Sequence, residues 1–407
     1  MAVNFGTAQF TLFTNWAGAE EGAEISPNGE LVAFLSDLEG EFDLWVSHVG
    51  TGFFHNLTRD IPPLAPSGFI VRKLGFSPDS SQIWFNPGDG KPPMLMPSTG
   101  GTARPFLPSG TNTPAWAPDG NSIVYIDKAN RDDPIYLADR TGGDARQIFG
   151  PGTLKNMNPV WSPDSQWIYF GRGSEPQDES EMDVWRLRPS GGSPERVTTQ
   201  HLAINFLTPV DLRRLLYVAR AEDRSGPWLW SLDIESGMST RVPSGADQYM
   251  SVSASRDGRR IVATVANPSG GLWKVPILDR VADERDAKPY QLPEPTGLAF
   301  APRFGRDSLF YLSARGTGDG LWKVQDDKAS QVRRGIDGAL SEPPAVSPDG
   351  SRLLAVVRKE GERHLSIMSA DGTNAQTLVA SIGIDGAAGQ GAADWSPDGT
   401  RIVTGGR

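Results

Sequence analysis

One short turn recurs nine times along this chain, and that recurrence limits what it can fold into more than any other feature. The turn reads ISPNG at 25–29, FSPDS at 76–80, WAPDG at 116–120, WSPDS at 161–165 and LTPVD at 207–211. It returns as ASRDG at 254–258, FAPRF at 300–304, VSPDG at 346–350 and WSPDG at 395–399. Successive copies start 40 to 51 residues apart, the period of a small four-stranded sheet and not of a helical repeat. Each turn has a physical logic. Proline presets φ at the second position, Asp bonds nearby backbone amides, and Gly accepts a left-handed conformation.

The same grammar follows each turn. A short apolar strand comes first, as in Leu31-Val32-Ala33-Phe34, Ile123-Val124-Tyr125 or Leu353-Leu354-Ala355-Val356. A second strand follows, as in Asp43-Leu44-Trp45-Val46, Asp183-Val184-Trp185-Arg186 or Leu321-Trp322-Lys323-Val324. After a tight turn such as Gly142-Gly143 or Asp371-Gly372, a last strand closes the unit, as in Asn56-Leu57-Thr58 or Arg196-Val197-Thr198. β-Branched and aromatic residues between turn dipeptides are strand and hairpin signals, and no helical stripe exceeds about two turns. The chain therefore reads as all-β: a single β-propeller over residues 1–407, with nine four-stranded blades expected and eight as the alternative. The Trp, Phe or Leu before each turn is expected to pack between neighbouring blades. The last copy, Trp395 to Val403, supplies only two strands. Residues 1–14 match the outer strands of a blade, which predicts closure of the ring by pairing the N-terminal outer strands with the C-terminal inner strands. Such closure leaves no free sheet edge.

The run of turn, apolar strand, D-L-W-V strand and N-L-T strand resembles the TolB-like, WD-type propeller repeat over essentially the whole chain. Val46-Ser47-His48-Val49-Gly50 with Asn56-Leu57-Thr58, and Gly271-Leu272-Trp273-Lys274-Val275, are similar to propellers fused to bacterial serine/threonine kinases and transcriptional regulators. That resemblance implies a ligand- or protein-sensing module, often outside the membrane. Related propellers also accompany peptidase and amidohydrolase catalytic domains or form polysaccharide lyases, so the repeat specifies fold better than function.

The chemistry-bearing residues narrow the options. The chain has no cysteine, which removes disulfides and thiolate chemistry. Its net charge of −10 argues against a nucleic-acid partner, and no apolar run is long enough to span a membrane. The N-terminus lacks a secretory signal pattern; the chain is expected to be cytoplasmic, or periplasmic if it is an excised sensor domain. No G-x-S-x-G nucleophile motif occurs. The four histidines, His48, His55, His201 and His364, are too scattered for a metal site. The acidic loops at 37–41, 127–133 and 175–181 match no calcium-loop spacing. No cofactor or metal is expected, and a monomer is.

In a four-stranded blade, the loops after the second strand and between blades share one face, and the between-blade loops end at the central channel. Binding residues usually sit on such loops over a rigid ring. Counting back from each inner-strand core residue gives Glu21, Arg72, Lys73, Asn112, Asn158, His201, Tyr249, Glu342 and Gln390. The mixture suits a protein, a peptide segment or a small polar ligand, or else lines a water-filled channel. Alanine at Arg72, His201 or Tyr249 is expected to abolish binding with little change in melting temperature. A carbohydrate-active or peptide-cleaving enzyme with its site in the same channel is the second reading, and an assembly scaffold the third.

Overall fold

The computed structural model describes residues 11–404 except 15, 17, 66–71, 89, 131–132, 151, 153, 174–181, 222–225, 243–247, 267–271, 282–284, 294–298, 314–319, 335–338, 341–343, 360–361 and 381–392. Every regular element among them is a β-strand. The described residues of Met1–Ala219, Trp228–Gly245 and Tyr249–Ala266 form one compact unit, and those of Arg220–Pro227, Ala246–Gln248 and Asn267–Arg407 form a second.

In the first unit, five antiparallel four-stranded sheets follow one another along the chain. The first contains Glu20–Ile25, Leu31–Ser36, Asp43–His48 and Phe54–Asn56, and the second Leu74–Phe76, Gln82–Phe85, Met94–Pro97 and Arg104–Pro105. The third contains Thr111–Trp116, Ser122–Asp127, Ile135–Asp139 and Arg146–Phe149, and the fourth Lys155–Trp161, Ile168–Gly173, Met182–Leu187 and Glu195–Arg196. The fifth contains Ile204–Pro209, Arg214–Ala219, Trp228–Asp233 and Met238–Arg241. A sixth sheet pairs Gln248–Ala254 with Ile261–Ala266.

Neighbouring sheets bury their apolar faces against each other. Ala33, Leu35 and Leu44 of the first sheet pack on Leu74, Ile83 and Phe85 of the second. The third sheet meets the fourth through Val124, Ile126, Trp161 and Phe170. Fourth and fifth join at Tyr169, Val184, Leu207 and Tyr217, and fifth and sixth at Phe206, Val218, Tyr249 and Val252. Second and third touch through their first strands. The tryptophan before the turn does pack between sheets. Trp161 also donates its indole N–H to Ala115 O of the preceding sheet at 3.0 Å, and Trp395 does the same to Ala345 O at 3.3 Å in the second unit.

The sixth sheet then meets the first. Val262 packs on Ala23, Ile25 and Phe34. Ala23 N donates to Thr264 Oγ1 at 3.2 Å, and Arg260 Nη1 to Gly29 O at 2.6 Å. The first unit thus closes on itself after six inner strands, where the repeat had suggested a ring of nine sheets, or eight, joined by the two chain ends. The physical reason is long-range: side chains of the sixth sheet meet the first directly. Of residues 1–14, assigned to that terminal closure, 1–10 lie outside the described residues, and Phe13 packs on Phe34 and Phe54 of the first sheet.

The second unit holds a two-stranded sheet (Trp273–Lys274, Lys288–Pro289) and a four-stranded one (Ala299–Phe304, Leu309–Ser313, Leu321–Gln325, Lys328–Arg333). A five-stranded sheet follows (Ala339–Leu340, Ala345–Val346, Arg352–Lys359, Glu362–Ser369, Gln376–Ala380), and then a two-stranded one (Ala393–Trp395, Ile402–Thr404). Two turns sit later than the motif placed them. Pro209 ends a strand, and the fifth turn begins at Val210, whose N bonds Arg214 O at 3.0 Å. FAPRF lies wholly within a strand, and the seventh turn begins at Gly305.

The Ser-Pro-Asp turns are closed as their chemistry requires. Ser347 Oγ donates to Asp349 Oδ1 at 2.6 Å and accepts from Arg352 N at 2.9 Å, while Asp349 Oδ1 accepts from Ser351 N at 3.0 Å. Ser77–Asp79, Ser255–Asp257 and Ser396–Asp398 repeat the Ser-to-Asp bond. These hydrogen bonds, the serine hydroxyl first, hold Asp79, Asp257 and Asp349 below the usual carboxylate range, and Asp398 at about 2. A carboxylate lowered in the folded state stabilises it above the unfolded value, about 3.9, and loses that contribution as pH falls through the folded value. The melting temperature is therefore expected to stay level down to about pH 4 and to fall between there and about pH 2. Calorimetry across that window checks it, and a rise on acidification would contradict it.

Candidate functional site

The inner strands of the first unit are interrupted at matching heights. Register shifts fall between Glu21 and Glu24, Val124 and Ile126 (opposite Ala115 and Asn112), Met157 and Val160, and Asn205 and Thr208. Each contains a left-handed residue: Gly22, Thr113, Asn158 and Phe206, at φ 62, 46, 49 and 52°. Each stands four positions before the residue that opens its turn. A bulge of this kind bends the strand and re-aims a side chain. Most of the expected binding residues fall at this level.

Arg72 dominates it. The guanidinium of this residue, two positions before the second sheet's first strand, pairs with Glu24 of the first sheet. It also donates to Leu207 O at 3.4 Å and Thr208 Oγ1 at 3.2 Å in the fifth sheet, and to Val252 O at 3.3 Å in the sixth. Its Cζ lies 5.8 Å from the Phe206 ring centroid. In a cycle of six, the fifth sheet is opposite the second, so a side chain that joins them crosses the axis. Burial pushes the Glu24 carboxyl above the usual range, outweighing the neighbouring Arg72 charge and the bonds from Ser253 and Arg72.

A second arginine crosses the axis at the turn side. Arg256, in the sixth turn, gives its backbone N–H to Pro27 O at 2.9 Å. Its Nη2 donates to Pro78 O at 2.8 Å and to Pro118 O at 3.2 Å. The third sheet stands opposite the sixth. The axis is therefore spanned by side chains at two heights.

The other expected residues divide. Glu21 is buried, while Lys73 and Asn112 are half-buried, all at or next to the bulge level. Asn158 is buried, and neither polar atom of its amide has a hydrogen-bond partner; the same holds for Thr113 Oγ1. Tyr249 belongs to the apolar cluster between the fifth and sixth sheets. His201 sits against the outer strands of the fourth sheet. Its N donates to Asp183 Oδ1 at 3.3 Å, its Nδ1 lies 3.4 Å from Asp183 Oδ2, and its Nε2 lies 3.3 Å from Arg196 Nη2. There Asp183 also accepts from Thr198 Oγ1 at 2.9 Å, as Asp43 accepts from Thr58 Oγ1 at 2.7 Å. The D-L-W and N-L-T motifs are thus tied to each other. Glu342 and Gln390 lie outside the described residues.

Glu24, Phe206, Thr208 and Arg256 escaped the sequence reading. Only Arg256 carried a signal: an arginine where Pro27, Pro78, Pro118 and Pro163 stand in the other turns. Because Arg72 and Tyr249 hold sheets together, alanine there will lower stability, contrary to the expectation of an unchanged melting temperature. Among the described residues, no group of three or more His, Cys, Asp or Glu side chains is placed to hold a metal ion. Two of the acidic loops have internal partners: Asp37 accepts from Ala19 N at 2.7 Å, Glu39 pairs with Arg59, and Asp133 with Lys128 at 2.7 Å.

No family model matches the chain. A stretch of 204 residues, 49% of this chain, is 40% identical to an uncharacterized protein of Agrobacterium fabrum and spans 61% of that relative's length. Among solved structures, the chain is similar to a TolB described as putative from Agrobacterium tumefaciens, with 25% identity and a TM-score of 0.47 over 61% of this chain and 90% of that one. It is also similar to TolB from Acinetobacter baumannii, at 15% identity and a TM-score of 0.35 over 88% and 79%. An oligogalacturonate lyase in complex with manganese is similar at 14% identity and a TM-score of 0.43 over 85% and 87%.

Proposed function

We propose that the chain is a non-enzymatic binding propeller that recognises a protein, a peptide segment or a small polar ligand from the loop-bearing side of its first unit, as the sensor portion of a larger signalling protein. One observation supports this above the others: Arg72 and Arg256 each span the axis of the first unit. A ligand then cannot thread through. It approaches the half-buried Lys73 and Asn112 from the loop side and stops against Arg72. A blind polar end suits the terminus of a peptide or a small polar molecule, because a few placed polar groups on a rigid frame set orientation.

The test is calorimetric titration of the full chain with free amino acids, dipeptides and uronic acids, repeated with Lys73→Ala and Asn112→Ala. Saturable binding weakened at least about tenfold by either change is the expected result. Undiminished binding would remove the loop-side site from the proposal. Product appearing in the same mixtures by mass spectrometry would overturn the non-enzymatic reading.

A further inference from the structure

We propose that Arg256 is a latch that holds the first unit shut at its turn side. It acts independently of any ligand at the loop side. Proline occupies this position in the first four turns, and proline has no N–H to give. Arginine at 256 restores a donor, and Arg256 N spends it on Pro27 O at 2.9 Å in the first turn. The side chain then reaches Pro78 O at 2.8 Å and Pro118 O at 3.2 Å, in the second and third turns. One residue of the sixth sheet therefore joins the three sheets that begin the ring. A charged donor to a carbonyl is a stronger bond than a neutral one, and here one guanidinium serves two carbonyls.

The neighbouring contacts point the same way. Arg260 Nη1 bonds Gly29 O at 2.6 Å, and Asn28 N bonds Ser80 Oγ at 3.3 Å. Closure by strand exchange would put the first and last strands of a ring in one sheet. Here the first and sixth sheets are separate sheets and meet through side chains. The latch does at the turn side what a shared sheet would otherwise do.

The latch assigns specific turns to Arg256, which makes it testable by hydrogen exchange on the full chain. The reporters are turn amides that already have backbone partners: Gly29 N on Ser26 O, Ser80 N on Ser77 O and Gly120 N on Ala117 O. Ser165 N on Ser162 O, in the fourth turn, is the control, since Arg256 does not reach it. In Arg256→Ala, exchange at 77–81 and 117–121 should rise about tenfold, and less at 26–30, where the backbone bond survives. In Arg256→Pro, all three turns should loosen together, although the turn then matches its neighbours. Arg256→Lys, which keeps the backbone donor and a cation, should fall between wild type and alanine. No rise at 77–81 and 117–121 in Arg256→Ala, or an equal rise at 162–166, would overturn the latch.

Discussion

Replacing Arg72 by methionine is expected to lower the melting temperature of the first unit by roughly 10 °C. The change leaves the Glu24 carboxylate buried without its counter-charge and removes the bonds to Leu207 O, Thr208 Oγ1 and Val252 O. Breaking a buried pair by removing one partner costs about 3–5 kcal/mol, because the surviving charge stays desolvated. At this size each kcal/mol corresponds to about 2–4 °C. Removing both charges is a different matter: Glu24→Leu combined with Arg72→Met should recover most of the loss, since an apolar pair of similar volume carries no stranded charge. The pH dependence supplies an independent check. Burial already raises the Glu24 carboxyl, and a carboxyl raised in the folded state costs more stability as pH climbs above the unfolded value of about 4.3. The deficit of Arg72→Met should therefore be larger at pH 8 than at pH 5. Additive single and double variants, or a deficit independent of pH, would show that the pairing with Glu24 does not set the cost of losing Arg72.

The repeat made the sheets legible because turn chemistry is local. Ser347, Asp349 and Arg352 close their turn within six residues, and any window of that length contains the whole explanation. The tryptophan before the turn was readable for a similar reason, since Trp161 and Trp395 do the same job in separate units. At the fifth and seventh turns, Pro209 and Pro302 do not mark the turn. Both lie in strands, one at a strand end and one beside the left-handed Ala301.

Closure was not legible, because it rests on contacts between residues far apart in sequence. Arg256 and Pro118 are 138 positions apart, and Arg72 and Thr208 are 136. Counting along each inner strand led to the level of the bulges at Asn112 and Asn158. It could not tell a side chain free to meet a ligand from one already engaged across the axis. His201 shows the same limit: its loop leads toward an inner strand, yet Asp183 and Arg196 hold it at the outer strands.

The glycine that ends five of the nine turns offers the second large effect, with its control built into the repeat. Gly120 and Gly258 occupy equivalent positions and have φ of 78 and 66°. A left-handed conformation alone costs a residue with a Cβ about 1–2 kcal/mol, and the repeat shows that this is bearable: Ser80 and Ser165 hold the same position at φ 64 and 58°. Space separates the two glycines. A Cβ on Gly120 would meet nothing within 4 Å, whereas one on Gly258 would lie 2.5 Å from Val210 O and 2.9 Å from Val210 Cγ1 of the fifth sheet. Backbone cannot swing aside as a flexible side chain does, so fifth and sixth sheets would have to part, which adds about 1–3 kcal/mol of overpacking. Gly120→Ala should lower the melting temperature by roughly 3 °C and Gly258→Ala by roughly 10 °C. Equal losses would mean that conformation, and not the seam between the fifth and sixth sheets, sets the cost at this position.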